Sequence, residues 1–265
     1  MVFLIDFLLM NSDEPKYKKV IFHDLGLADY REAWDFQELL FQQLLQQKTA
    51  GRKQKADLQP ENYLIFCEHP HVYTLGKSGN QDNLLISGEK LKKINAAFYK
   101  TNRGGDITYH GPGQIVGYPV LDLEYFNCSI KQYVSNIEEI IINTLSHFGI
   151  IASRMDGAAG VWIDARHADK ARKICAIGVR ASRHITMHGF ALNVNTDIDY
   201  FNHINPCGFT DKSVTTMEKE TGRKTGTAEV KAVLHSQFSR IFNIELTPNT
   251  YEHGKTMENK AERRC

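Results

Sequence analysis

The sequence predicts a single α/β (α+β) domain in which helices pack against a mixed β-sheet. The chain has 265 residues, of which 42% are hydrophobic and 24% are charged, a composition typical of a folded globular protein. Apolar residues recur at helical spacing in several segments, and short β-prone runs lie between those segments. Two of these runs are joined only by a polar connection, which indicates a hairpin in a mixed sheet instead of a regular alternation of strands and helices.

Balanced charge and scattered cysteines narrow the class of protein. The 32 Lys and Arg residues nearly cancel the 31 Asp and Glu residues, so composition gives no general argument for binding to nucleic acid or to a membrane. The five cysteines, at positions 67, 128, 175, 207 and 265, form no CxxC pair, which argues against a disulfide framework or a zinc site. We therefore expect a cytoplasmic protein that contacts neither nucleic acid nor membrane.

The two ends of the chain differ in composition from its middle. The first ten residues, MVFLIDFLLM, are mostly apolar but contain Asp6, and they are too few for a membrane span, which needs about 20 residues. The last residues are polar and charged. We predict an N-terminal extension over residues 1–18, one domain over residues 19–245 and a mobile polar tail over residues 246–265.

The first part of the domain predicts a helix, a loop and a strand. Asp29 is a suitable N-cap, and the apolar residues that follow it at helical spacing predict a helix that ends at about Gln47. The polar residues 48–61 include Gly and Pro and predict a surface loop. The apolar run from Tyr63 to Cys67 predicts a buried strand.

The rest of the domain predicts strands and two further helices. Ser129 is a suitable cap for a helix with one apolar stripe, which Gly149 ends. Thr227 is the predicted cap of a final helix. The predicted strands are Gln114–Leu123, Gly160–Ala165, Ile174–Val179 and Ile185–Val194, and the second and third of these form the hairpin.

The glycine-rich stretch RGGDITYHGPGQ (103–114) is the most unusual segment of the chain. Its four glycines let the backbone turn tightly and approach a ligand, while Arg103 and His110 supply polar contacts. A glycine-rich β-turn is the simpler interpretation, but Arg, Thr, Tyr, His and Gln crowd between these glycines. The segment lacks the glycine order of a phosphate loop or a dinucleotide turn, so no nucleotide site is predicted.

Three residues are candidates for covalent chemistry. Cys207 lies between Pro and Gly on a predicted sharp turn, where a thiol projects into a cleft, although a single cysteine is more often an inert small hydrophobe. Lys173 enters an apolar run; such a lysine is ordinarily solvated, but one desolvated beside a thiol exchanges protons near neutral pH. Cys175 is two residues further on, is expected on the same strand face and is a rival nucleophile. Spacing alone leaves both cysteines open.

The eleven histidines form no metal-ligating pattern. His69 and His71 flank a proline, and His184 and His188 fall in a predicted strand, where a spacing of four does not bring two ligands together. The sequence contains no HExxH motif and no Cys/His quartet, so we predict no metal site.

Several blocks of the chain resemble the lipoyl(octanoyl) transferase family of lipoate biosynthesis, in the biotin/lipoate protein ligase superfamily. They are DLGLADYREAW (24–34), EHPHVYTLG (68–76), RGGDITYHGPGQIVGYPVLDL (103–123), GVWID (160–164), KICAIGVR (173–180) and HGFALNVNTDIDYFNHINPCGF (188–209). Because they occur in the family's order over most of the chain, the match is more specific than any single motif. The resemblance implies a mixed sheet packed by helices, as in biotin/lipoate protein ligases.

The resemblance also assigns roles to residues. It implies that Cys207 is the acyl-thioester cysteine and that Lys173 activates it, with no such role for Cys175. The acyl pocket that it implies consists of Arg103, Gly104, Gly105, Asp106, Ile107, Thr108, Tyr109, His110, Ala176, Ile177, Gly178, Gly189, Phe190 and Ala191.

The implied activity is the first step of endogenous protein lipoylation. An octanoyl group passes from octanoyl-acyl carrier protein to a lysine ε-amine, with neither ATP nor a cofactor. The implied acceptors are the lipoyl domains of 2-oxoacid dehydrogenases and the glycine cleavage H protein. Two alternatives stay open, an ATP-dependent lipoate ligase on the same fold, which has no need of Cys207, and a non-catalytic acyl-binding protein.

The protein substrates that the resemblance implies are typically acidic. We therefore expect a local basic rim at the pocket mouth, despite the balanced total charge. The candidates are Arg103, Arg154, Arg180, Arg183, Lys219 and Arg223, each of which, taken alone, is more often an ordinary solvated charge.

Overall fold

The computed structural model describes residues 17–54, 59–167, 169–205 and 213–248. Most of the predicted N-terminal extension, most of the predicted tail and the segment that carries Cys207 lie outside these ranges. The account of the fold therefore concerns the central domain.

Twelve strands form two sheets within the described residues. The strands are Lys18–Leu27 (β1), Asn62–Glu68 (β2), Val72–Leu75 (β3), Ala97–Lys100 (β4), Ile107–His110 (β5), Gln114–Val120 (β6), Ser153–Met155 (β7), Ala158–Ile163 (β8), Arg172–Ser182 (β9), Ile185–Asn193 (β10), Ser213–Val214 (β11) and Ile244–Pro248 (β12). The large sheet has the order β12-β1-β2-β6-β10-β9-β8-β7, with β11 paired to β9, and the small sheet has the order β4-β3-β5.

The large sheet is mixed. β1 runs parallel to both β2 and β12, whereas every neighbouring pair from β2 through β6, β10, β9 and β8 to β7 is antiparallel. The predicted hairpin is present, because β8 and β9 pair antiparallel across their polar connection. The predicted fold class, an α/β domain with a mixed sheet, is confirmed.

Five α-helices accompany the sheets. They are Tyr30–Gln54 (α1), Gly88–Lys93 (α2), Ile130–His147 (α3), Met217–Thr221 (α4) and Thr227–Phe242 (α5). Ser129 caps α3 as predicted, since its hydroxyl accepts a bond from the Gln132 N–H at 3.2 Å while Gln132 Oε1 accepts one from the Ser129 N–H at 2.9 Å. This reciprocal pair satisfies two N–H groups that a helix start otherwise leaves without partners.

The helices cover both faces of the large sheet. α3 and α5 pack on one face over a core that includes Phe66, Ile174 and Leu192. α1 packs on the other face over alternate residues of the same strands, among them Ile65 and Ala191. This alternation of strand residues between two buried faces explains why β2 is a continuous apolar run in the sequence.

Three sequence predictions about elements are wrong. The first helix does not end at Gln47, because α1 continues to Gln54 through the first part of the predicted loop. Its added turn is held where Lys48 forms ion pairs with Asp122 and with Glu124, the latter at 2.9 Å. Thr227 is the first residue of α5 and not its cap, a position that Gly226 takes without a side-chain hydrogen bond.

Two strands at one edge of the large sheet were absent from the predictions. β1 and β12 come from opposite ends of the described chain and pair parallel, with Lys18 opposite Ile244. Neither strand forms a hairpin with its partner, so no local turn signal marks this pairing in the sequence.

Candidate active site

A cavity of about 370 Å³ runs along the paired strands β9 and β10. The glycine-rich segment before β5 borders it, and Tyr30 of α1 also reaches it. Apolar side chains form part of its wall, among them Val116, Ile177, Phe190 and Ala191. The cavity is therefore suited to an elongated, mainly apolar ligand.

The cavity brings together most of the predicted acyl-pocket residues. All of them line it apart from Gly104 and Tyr109. The Gly104 N–H donates to the Val179 carbonyl at 2.9 Å, which ties the glycine-rich segment to β9. Tyr109 packs in the core of the small sheet, with its hydroxyl 2.7 Å from His71 Nδ1 and its ring stacked on Tyr200.

Arg103 is buried and fixes the shape of the glycine-rich segment. Its side chain, only 7% exposed, donates to the Thr74 carbonyl, to Thr74 Oγ1 at 2.9 Å and to the Gly104 carbonyl at 3.0 Å. Gly105 has φ near +83°, a conformation that favours glycine. A Cβ added at Gly178 would lie 3.0 Å from the Gly104 oxygen, so a side chain there would push the segment away from β9.

A chain of buried hydrogen bonds crosses the cavity wall from β5 to the residue after β11. His110 Nδ1 donates to Gln114 Oε1 at 2.8 Å, Gln114 Nε2 donates to Asn193 Oδ1 at 2.8 Å, and Asn193 Nδ2 donates to the Thr215 carbonyl at 3.1 Å. Burial lowers the pKa of His110 to about 3, with smaller contributions from His69, Arg103 and His188, so its ring is neutral at pH 7. These bonds align β5, β6 and β10 around one end of the cavity.

Lys173 lies at that end of the cavity, at the start of β9. Its Nζ is 4.6 Å from the centre of the Trp162 ring, a cation–π distance. Gly160 stands beside it with φ near +120°, and a Cβ there would lie 2.6 Å from the Cys175 carbonyl oxygen and 3.5 Å from Lys173 Cε. A glycine at this position therefore leaves space for the lysine side chain.

The chain returns to Lys173 directly after the segment that carries Cys207. In β11, Ser213 pairs with Arg172 and Val214 pairs with Lys173, and the Thr215 N–H donates to the Lys173 carbonyl at 3.0 Å. Ser213 and Val214 also line the cavity, as does Phe201 before the segment. Both sides of the segment thus adjoin the cavity, while Cys207 itself lies outside the described residues.

Cys175 does not share the cavity face with Lys173. The register between β8 and β9 shifts, so that Val161 pairs with Cys175 but Trp162 pairs with Lys173. This irregularity breaks the alternation of faces on which the prediction relied. Cys175 is fully buried in the core beneath α3 and α5, where burial raises the pKa of its thiol far above the ordinary range.

The predicted basic rim is wrong for three of its six members. Arg103 is buried, as described above. Arg154 forms ion pairs with Glu138 at 3.1 Å and Glu139 at 2.8 Å, and Arg180 pairs with Glu38 at 3.1 Å. Their charge is therefore compensated within the protein, and these arginines do not form a free cationic rim.

Neither a metal cluster nor a membrane helix is found in the part of the chain that the structure describes. Over those residues, no three His, Cys, Asp or Glu side chains are grouped so that they could hold a metal ion. The described helices also include none with the length and apolar character needed to cross a membrane.

The sequence matches a known family over most of its length. Residues 29–239 match the family described as the lipoyl protein ligase A/B catalytic domain. The chain belongs to this family. The predicted resemblance is therefore confirmed at the level of the family.

Relatives in the lipoyl protein ligase A/B family are similar to this chain from end to end. An octanoyltransferase of Cytophaga hutchinsonii is 52% identical over 88% of this chain and 97% of its own length. An octanoyltransferase of Flavobacterium johnsoniae is 51% identical over 86% of this chain and 99% of its own length.

Solved structures in this superfamily share the fold. A lipoate-protein ligase A bound with ATP aligns with a TM-score of 0.63 at 15% identity, over 93% of each chain. A bipartite lipoate protein ligase of Thermoplasma acidophilum aligns with the same TM-score at 16% identity, over 93% of this chain and 91% of its own. At this identity the likeness concerns the fold alone.

Several cavity residues were not singled out from the sequence. They include Tyr30, Trp162 and His188, each of which lies in one of the blocks that carry the resemblance. Position within those blocks was the available signal. Nothing local to these residues distinguishes a side chain that lines a cavity from one that packs in the core.

Proposed function

We propose that this protein is an octanoyltransferase that acts through a cysteine acyl-enzyme. It takes the octanoyl group from octanoyl-acyl carrier protein and transfers it to the ε-amine of a lysine on a lipoyl domain, including those of 2-oxoacid dehydrogenases and the glycine cleavage H protein. The full-length similarity to octanoyltransferases about 52% identical supports the acyltransferase activity.

The position of Lys173 is the observation that carries the proposed mechanism. Its side chain lies at one end of an elongated, partly apolar cavity, and the chain that follows Cys207 pairs with its backbone. A lysine at such a site accepts the proton of a thiol, whose ordinary pKa of about 8.5 keeps it mostly protonated at pH 7. The burial of Cys175 in the opposite core supports Cys207 as the nucleophile.

The reaction balances without ATP. The Cys207 thiolate attacks the carbonyl carbon of the carrier thioester; a new C–S bond forms, the bond to the carrier sulfur breaks, and the carrier thiol takes its proton from Lys173. The acceptor amine then attacks the acyl-enzyme, the C–N bond forms, and the Cys207 thiolate leaves as Lys173 receives the amine proton. A thioester is already activated, so no adenylate is needed.

The cavity wall supports an acyl ligand of this size. Burial of an eight-carbon chain at ~0.8 kcal/mol per methylene contributes roughly 5 kcal/mol of binding free energy. Val116, Ile177, Phe190 and Ala191 supply apolar surface for such a chain.

A transfer assay on the acceptor tests this function. Purified protein is incubated with octanoyl-carrier protein and a lipoyl domain without ATP, and the intact mass of the lipoyl domain is measured. We expect the acceptor to gain one octanoyl group per lysine. A parallel reaction with free octanoate and ATP is expected to give no product, and product formed only in that reaction would identify a ligase instead. An acceptor that gains no mass in either reaction would contradict both enzymes.

A further inference from the structure

His188 has an unusual backbone within a regular strand. It lies in β10 with φ near +59°, although it is not glycine. Its N–H donates to the Gln37 side chain at 3.1 Å, which helps to hold this conformation. Strained residues of this kind persist where the surrounding structure fixes them, and they concentrate at ligand sites.

The side chain of His188 has one nitrogen without a protein partner. The residue is 1% exposed and lines the cavity. Its Nε2–H donates to Asn102 Oδ1 at 2.6 Å, so the lone pair is on Nδ1. Over the described residues, no donor lies within hydrogen-bonding distance of Nδ1. Burial, together with Arg103 and Arg180, lowers the pKa of His188 to about 3, which keeps the ring neutral.

His188 lies at the end of the cavity opposite Lys173. In the β9–β10 pair, Cys175 faces Leu192, Gly178 faces Gly189 and Val179 faces His188. The six positions from Lys173 to Val179 correspond to roughly 20 Å of strand. An extended octanoyl chain spans roughly 9 Å from its carbonyl carbon to its methyl group, given C–C bonds of about 1.5 Å. With side chains reaching in from both ends, an octanoyl chain that starts near Lys173 ends in front of His188.

We propose that His188 sets the acyl-chain length by forming a polar end wall. The inference rests on the proposed function. Its Nδ1 needs a hydrogen-bond donor, either water or a group on the ligand, because a buried acceptor without one is unfavourable. An eight-carbon chain leaves room for such a donor, whereas a longer saturated chain places a methyl group against Nδ1. The cavity thus rejects long chains by leaving a polar atom unsatisfied, and not only by steric contact.

A comparison of two substrates tests the end wall in the unaltered protein. Nonanoyl and 8-hydroxyoctanoyl thioesters of N-acetylcysteamine have chains with the same number of heavy atoms, but only the second ends in a donor. We expect acyl-enzyme formation to be at least as fast with 8-hydroxyoctanoyl as with nonanoyl. An apolar end wall predicts the reverse, because the hydroxyl would be buried without a partner. A hydroxyoctanoyl rate tenfold or more below the nonanoyl rate would overturn the proposal.

Two substitutions separate polarity from size. His188→Leu has a side chain of comparable size without a polar atom, and we expect it to lower the ratio of octanoyl to decanoyl rates roughly tenfold. His188→Asn is smaller but polar and tolerates a positive φ, and we expect it to keep the preference for octanoyl. A steric wall predicts the opposite order, with His188→Asn accepting decanoyl and His188→Leu unchanged; that order would contradict the proposal.

A matched control removes another buried histidine. His23 lies on β1 against the rings of Phe36 and Tyr63, and His23→Leu is expected to leave the chain-length ratio unchanged. Failure of the two proposals is distinguishable. Without any acyl-enzyme from any thioester the proposed function fails, whereas an acyl-enzyme whose length preference ignores residue 188 defeats the end wall alone.

Discussion

The two ends of the cavity contain cations in different surroundings. At one end, Arg103 is buried and spends its donors on Thr74 and the Gly104 carbonyl. At the other end, Lys173 is half-buried with its ammonium group over the Trp162 ring. A guanidinium does not lose its proton in proteins, whereas an ammonium does so when partly desolvated. The comparison indicates that the Arg103 end holds the shape of the cavity and the Lys173 end carries out proton transfer.

Replacement of Lys173 is expected to have the largest effect on activity. Lys173→Met should lower turnover by roughly 10²–10⁴-fold, because the thiol and the acceptor amine lose the group that exchanges their protons. Lys173→Arg should not restore activity, since arginine keeps its proton. Steady-state transfer rates, with melting temperatures to show that both variants fold, provide the test. Near-normal turnover of Lys173→Arg would show that charge alone suffices.

Replacement of Arg103 is expected to affect stability first. Arg103→Met leaves the carbonyls of Thr74 and Gly104 without their donor, and we expect a loss of about 2–4 kcal/mol in the free energy of unfolding. Urea denaturation measures this loss, and Arg103→Lys should recover part of it. If Arg103→Met unfolds at the urea concentration of the parent protein, the positional role of Arg103 is wrong.

Acid is expected to destabilise the protein through its buried neutral histidines. Burial lowers the pKa of His188 and His110 to about 3 and that of His69 to about 4, below the ordinary value near 6.5. Between these values the unfolded chain binds protons that the folded protein does not, so stability falls as pH falls from about 6.5 towards 3. Each such histidine contributes a slope of up to about 1.4 kcal/mol per pH unit.

The His188→Asn variant isolates one of these contributions. Urea unfolding between pH 4 and pH 7 should show a slope shallower by about one proton in this variant, whereas His147→Asn, on the exposed end of α3, should keep the parent slope. Equal slopes for His188→Asn and the parent would show that His188 is protonated in the folded state.

Replacement of Cys175 is expected to have the smallest effect. Cys175→Ala removes one sulfur atom from the core, which should cost about 1 kcal/mol of stability and leave transfer within a few-fold of the parent rate. Loss of most activity with normal folding would place chemistry on the wrong side of β9.

The elements that were predicted well depend on local signals. The capping box at Ser129 and Gln132 lies within four residues, and the hairpin of β8 and β9 joins neighbours in sequence. The edge strands β1 and β12 were missed because their pairing links residues more than 200 positions apart. The sequence therefore indicated the class of the fold but not the full order of the sheet.

The site shows the same division between local and long-range information. Lys173 and the glycine-rich segment were found because the family blocks contain them, and the structure gathers most of that set around one cavity. The register shift in β9, which separates Cys175 from Lys173, and the positive φ of His188 depend on pairing with other strands. No spacing rule in the sequence reports either feature.

The position of the acyl group on the enzyme tests the central claim most directly. The protein is exposed to an octanoyl thioester without ATP, quenched in acid, digested and mapped by peptide mass spectrometry. The octanoyl adduct is predicted on the peptide that contains Cys207, to be absent from Cys207→Ala and to be retained in Cys175→Ala. An adduct on Cys175, or one that survives in Cys207→Ala, would contradict the account.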